Sequence, residues 1–127
     1  LGSSLEEFFS ARQQERIVFK KDDMFEKVDE EGLKGSILWL VPSAQKNRME
    51  PMLVCLGAGG RTAEIPAHEG EEFAYVLSGR IQLVLGGARY SLGRGESFCL
   101  HPKAPHHIEN HGRHEARFLW TSTPPSF

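Results

Sequence analysis

The chain has 127 residues, 39% hydrophobic and 25% charged, with a formal net charge of −2. That composition fits one globular domain with one sizeable core. It lacks the basic excess of a nucleic-acid-binding face, and no apolar run approaches the roughly 18 residues that span a bilayer.

Leu1 to Ser10 has neither a basic start nor a continuous apolar run, so no signal peptide is expected. Cys55 and Cys99 are too few for a disulfide scaffold. A reduced, cytoplasmic setting is the simpler expectation.

Ser4-Leu5-Glu6-Glu7 fits a capping box and predicts a helix to about Gln14, with Leu5, Phe8, Phe9 and Arg12 as one stripe. From there the chain reads as short strands broken by turn residues. Strands are expected over Arg16–Lys20, Met24–Val28, Lys34–Val41 and Pro51–Leu56. Gly57-Ala58-Gly59-Gly60 is a turn; it lacks the Gly-Lys-Ser/Thr ending of a phosphate loop. Phe73–Leu77 follows, and Ser78-Gly79 turns into Arg80–Leu85, where Ile81, Leu83 and Leu85 alternate with Arg80, Gln82 and Val84. Ala88–Leu92, Ser97–Leu100, His106–Glu109 and Ala116–Thr121 complete the set. Many short antiparallel strands at this spacing predict an all-β sandwich or small barrel.

The candidate site lies in two clusters. His68 stands four residues before Glu72, and a bend at Gly70 would let the two side chains converge. His106 must join them from a distant strand. Two imidazoles and one carboxylate can hold a divalent metal or grip a polar ligand. His101 shares a strand face with Cys99 and could add a ligand, against the plainer reading of Cys99 as a small buried hydrophobe. His107 should point away from His106, and His111 and His114 belong to an exposed turn. Trp39 and Trp120 read as core residues. Phe73 and Tyr75 should face outward, towards the N-terminal segment or a partner subunit. Arg80, Arg89 and Arg94 read as a solvated face, and no Ser-His-Asp or Cys-His nucleophile stands out.

These residues resemble the two motifs of the cupin superfamily. His68, Glu72 and Gly79 match the second His, the Glu and the Gly of the first motif, while Pro66 stands where its first His would be. Gly95, Pro102, His106 and Asn110 follow the second motif. The likeness runs from about Pro51 to Phe127. It implies an all-β cupin double-stranded β-helix, or jelly-roll barrel, with a short N-terminal helix. It also implies that three of four family ligand positions survive, a set suited to Zn, Fe, Mn or Ni.

Further residues sharpen the likeness. Glu71, Phe73, Tyr75-Val76-Leu77, Tyr90, Gly95-Glu96-Ser97, Leu119-Trp120 and Thr123–Phe127, with Ser4–Phe9 ahead of them, resemble the C-terminal sensor domain of helix-turn-helix regulators of the xenobiotic-response-element type. On that resemblance residues 1–15 are a helix and linker from a missing DNA-binding domain, and 16–127 are the cupin domain. It implies a small-molecule effector, a homodimer, DNA contact only through the missing N-terminal domain, and no membrane. The alternative is a small metal-dependent cupin enzyme, a dioxygenase or isomerase, against which the absent first His counts.

Overall fold

The computed structural model describes residues 17–42 and 47–124. The expected helix over 4–14 lies outside them. Nine strands follow in order: β1 (Phe25–Asp29), β2 (Gly35–Trp39), β3 (Glu50–Leu56), β4 (Glu71–Ser78), β5 (Arg80–Leu85), β6 (Ala88–Gly93), β7 (Ser97–Leu100), β8 (His106–Glu109) and β9 (Ala116–Thr123). A single 3-10 turn, Lys21–Asp23, is the only helical element among the described residues. The expected all-β class is what the structure has.

Two antiparallel sheets form. One runs β1-β2-β3-β9-β4-β7 and the other β6-β5-β8. Period-two alternation drives their association. In β3, Met52, Val54 and Leu56 turn inward; in β4, Ala74 and Val76; in β9, Ala116, Phe118 and Trp120. The small sheet answers with Ile81, Leu83, Leu92 and Ile108, and all of these join one buried cluster. Burying each large aliphatic or aromatic side chain contributes about 1.5–3 kcal/mol, so the facing rows hold the sheets together.

Two local features position the site. The segment between β3 and β4 is clipped onto β8 by bridges at Arg61↔Glu109 and Ile65↔His106. The Ile65 and His106 backbones exchange hydrogen bonds of 2.8 and 2.9 Å, and Thr62 N–H donates to Ile108 O at 2.9 Å. The second feature is Gly70, at φ +105°, where a Cβ would lie 1.7 Å from Thr123 O. Only glycine fits that bend.

One expected strand is absent. Ile17–Lys20 form none, and Ile17 and Val18 are 85% and 72% exposed. A strand needs a partner ladder, and Ile17–Lys20 belong to none of the ladders among the described residues. The expected Ala116–Thr121 strand runs on to Thr123 because β9 is paired on both sides, by β3 and by β4.

Candidate functional site

His68, Glu72 and His106 converge inside the barrel. Their donor atoms all lie within 4.8 Å of one another. Glu72 sits on β4, opposite Ser122 on one side and Leu100 on the other, and it is fully buried with His106. His68 reaches it across the Gly70 bend, its backbone tied to Pro102 by a 3.0 Å hydrogen bond. His106 arrives from β8 in the other sheet.

The hydrogen bonds around the three residues restrict their protons. His68 Nδ1 lies 2.8 Å from Glu69 O, and His106 Nδ1 lies 3.0 Å from Ala104 O. A carbonyl oxygen only accepts, so both Nδ1 atoms carry hydrogen. Both Nε2 atoms then face one oxygen: His68 Nε2 is 2.8 Å from Glu72 Oε2, and His106 Nε2 contacts that same oxygen. Glu72 Oε1 is held separately by Trp120 Nε1–H at 3.0 Å.

With both rings neutral, three lone pairs meet at one point out of water. Such a meeting requires a cation, either a proton on a ring or a metal ion. Burial pushes the Glu72 carboxyl up, but hydrogen bonds from His106, His68 and Trp120 outweigh it and hold the group below its ordinary value. Burial pushes the His106 imidazole down, and its bonds to Glu72 and Ala104 O outweigh that and raise it. Both shifts favour a carboxylate facing a protonated ring when no metal is bound. A divalent ion would displace that proton and find two Nε2 donors already oriented by backbone carbonyls, the usual outer-shell arrangement of ligating histidines. The donor set fits a metal.

A solvent-open cavity of about 610 Å³ adjoins the group, lined by His68, Glu69, Gly70, His101, Pro102 and Lys103 among others. His68 is the member of the trio that reaches it. His101 lies on this rim, with Nδ1 3.3 Å from Gly70 O and Nε2 3.9 Å from Glu71 Oε2. Its side chain is 70% exposed, so it is not gathered with the other three.

Cys99 is exposed rather than buried. In the β4–β7 register it pairs with Phe73 on the outer face, while Phe98 and Leu100 take the inner one. His107 does point away from His106. It lies 2.5 Å from Glu109 Oε2, whose other oxygen meets His111 Nε2 at 2.5 Å and Arg89 Nη1 at 3.1 Å. Arg89 is thus part of an ionic group and not a bare solvated face. The motif residue Asn110 is structural: its amide donates to Leu56 O and His114 O, both at 2.9 Å.

Glu50 went unnoticed in the sequence. It is 4% exposed and pairs with Ser122, which in turn pairs with Glu72, so two carboxylates share one inward row. Its alternation with Met52, Val54 and Leu56 was the available signal.

Comparison with known proteins agrees with this fold. The family profile described as "Cupin domain" matches residues 52–122. The HTH-type transcriptional regulator PuuR of Escherichia coli (strain K12) is 32% identical over 130 residues, which covers 99% of this chain and 68% of that protein. The Cupin_2 domain of an XRE family transcriptional regulator from Enterobacter cloacae superposes with a TM-score of 0.61 at 20% identity, covering 71% of this chain and 96% of that one. A predicted oxalate decarboxylase from Thermotoga maritima superposes with a TM-score of 0.66 at 21% identity, covering 84% and 98%. The structural likenesses establish the fold.

Proposed function

Because the chain belongs to the cupin domain family, we propose that it is the effector-sensing and dimerisation domain of a transcription regulator whose DNA-binding domain lies outside this chain. The observation that carries the proposal is the alignment of almost the whole chain with a helix-turn-helix regulator at 32% identity. His68, Glu72 and His106 are the proposed ligand-binding centre, with His101 on the rim of the adjoining cavity.

In this reading a divalent metal would be held by His68, His106 and Glu72. When bound, it supplies a positive centre to which an oxygen or nitrogen of a small effector can coordinate. Glu69 O and Ala104 O keep the two rings in the ligating tautomer. Trp120 fixes the Glu72 carboxylate by its other oxygen. The effector enters past His68 from the open cavity. Its binding favours one arrangement of the dimer, and that biases the DNA-binding heads by population shift. The setting is cytoplasmic, where such regulators meet DNA; no described helix is long and apolar enough to cross a membrane.

Elemental analysis of the purified chain tests the centre. We expect near-stoichiometric metal after incubation with Fe(II), Mn, Ni or Zn, and none in the His68→Ala, His106→Ala protein. Absence of metal from both would remove the metal from the proposal. The two-His, one-carboxylate set beside an open cavity also suits a small metal-dependent enzyme. Turnover by the isolated chain that vanishes with a chelator would establish that reading and displace the sensor.

A further inference from the structure

Cys99 and His101 stand two residues apart on one strand face, and the barrel centre uses neither. In the β4–β7 register Cys99 pairs with Phe73, and Leu100 with the inward Glu72. One step beyond that last pair come Glu71 and His101, on the outer face with Cys99. The Glu71 backbone is fixed there, its N–H donating to Thr123 Oγ1 at 3.2 Å. All three side chains are open to water. Cys99 is exposed, and the side chains of Glu71 and His101 are 58% and 70% exposed.

Both donors lie near one carboxylate oxygen. Cys99 Sγ is 4.0 Å from Glu71 Oε2, and His101 Nε2 is 3.9 Å from the same atom. The second distance is too long for a hydrogen bond. His101 Nδ1 lies 3.3 Å from Gly70 O. A carbonyl only accepts, so the neutral ring carries its hydrogen on Nδ1 and keeps the Nε2 lone pair for ligation. That is the usual outer-shell arrangement of a ligating histidine. Zinc–ligand bonds of about 2.0–2.3 Å put neighbouring donors of a tetrahedral site roughly 3.3–3.6 Å apart. The two separations exceed that by about half an ångström, which rotation of exposed side chains closes. We propose that Cys99, His101 and Glu71 form a second metal site, for Zn(II) or another thiophilic divalent ion, with water in the fourth position.

Donor chemistry separates this site from the barrel centre. A thiolate selects soft and borderline ions, whereas two imidazoles and a carboxylate take Fe, Mn, Ni or Zn. The Cys99 thiol releases its proton to solvent as it ligates. Glu71 and Glu72 are consecutive on β4, one exposed and one buried, so the two sites stand back to back across the strand. His101 and Gly70 line the cavity that leads to His68. An ion held by His101 therefore fixes one wall of that entrance. The metal site stands without the sensor reading; only this link to effector entry rests on it.

Co(II) titration of the reduced chain is the test, because a thiolate ligand gives a sulfur-to-cobalt charge-transfer band and the barrel centre has no sulfur. The parent protein should show that band, saturating at one sulfur-bound ion per chain, and Zn(II) should displace it. Cys99→Ala should abolish the band, and Cys55→Ser should keep it. His101→Ala and Glu71→Gln should each weaken binding by at least the roughly 10–100-fold that loss of an outer-shell partner costs. Circular dichroism should be unchanged at these exposed positions. His68→Ala should leave the band intact, so failure of the barrel centre and failure of this site read separately. Metal at His68, Glu72 and His106 is then counted in the Cys99→Ala background. No band in the parent protein would overturn the proposal. So would a band that survives Cys99→Ala, or one indifferent to His101→Ala and Glu71→Gln. Saturation at one ion per two chains would also overturn it, since the thiols of two copies would then share the ion.

Discussion

Replacing Trp120 by Phe removes one hydrogen-bond donor from the centre of the site. Trp120 is 1% exposed, and its Nε1–H donates to Glu72 Oε1 at 3.0 Å. Phenylalanine keeps the inward apolar role beside Phe118, whose ring centroid is 6.1 Å away, but cannot donate. Losing a hydrogen bond to a buried charged group costs about 1.5–3 kcal/mol. The smaller ring also leaves a void, worth roughly 1 kcal/mol more if its walls relax in part. Together these lower the melting temperature by about 8–15 °C for a domain of this size.

The two contributions separate in a second assay. The void weakens the fold whether or not metal is bound. The lost donor also frees the Glu72 carboxylate to rotate, and removal of such an outer-shell partner typically lowers metal affinity about 10–100-fold. Trp39→Phe is the control: Trp39 packs on the core and against Phe25, with ring centroids 5.7 Å apart, and it should lose stability without losing metal. Competition titration with Zn and Ni, beside thermal unfolding of both variants, gives the comparison. If the Trp120→Phe protein unfolds early yet holds metal within threefold of the parent, Trp120 is only a core residue and the argument for its hold on Glu72 fails.

Two further outcomes follow from the geometry. Glu109 is held at about 2, first by its hydrogen bond to His107, then by His111 and Arg89, against an ordinary 4.5. A carboxyl depressed in the folded state adds stability above its unfolded value and loses it on acidification. The parent chain should therefore lose more urea resistance between pH 4.5 and 2.5 than Glu109→Gln; parallel losses would show that the group does not stabilise the fold. Gly70→Ala should destabilise by more than about 2 kcal/mol, since its Cβ would collide with Thr123 O at φ +105°. Gly95→Ala has a positive φ of +84° but open space around the new methyl, so it should cost only about 1–2 kcal/mol. Equal effects in chemical denaturation would refute the steric reading.

Much of the fold was readable because strand alternation is local. β5, β7 and β8 begin and end where their residue patterns do, and the outward placement of Phe73 and Tyr75 follows from the period of two once Glu72 faces inward. The His68–Glu72 spacing with its glycine bend was likewise a property of five consecutive residues. Failures occurred where a neighbour decides. Ile17–Lys20 has the composition of a strand and joins no ladder among the described residues. Cys99 reads as a small core hydrophobe, yet its pairing with Phe73 turns it outward.

Most strands, their buried faces and the residue types that could make a centre are therefore legible locally, since side-chain period and turn chemistry act over a few residues. Which of those residues meet is set by the closure of the whole fold. The bridge from Ile65 to His106 joins the first motif segment to the second, the β4–β9 register places Trp120 against Glu72, and the β3–β9 register brings Glu50 into the same inward row. Those contacts span tens of residues. They depend on how two sheets close around one core, which no local pattern encodes.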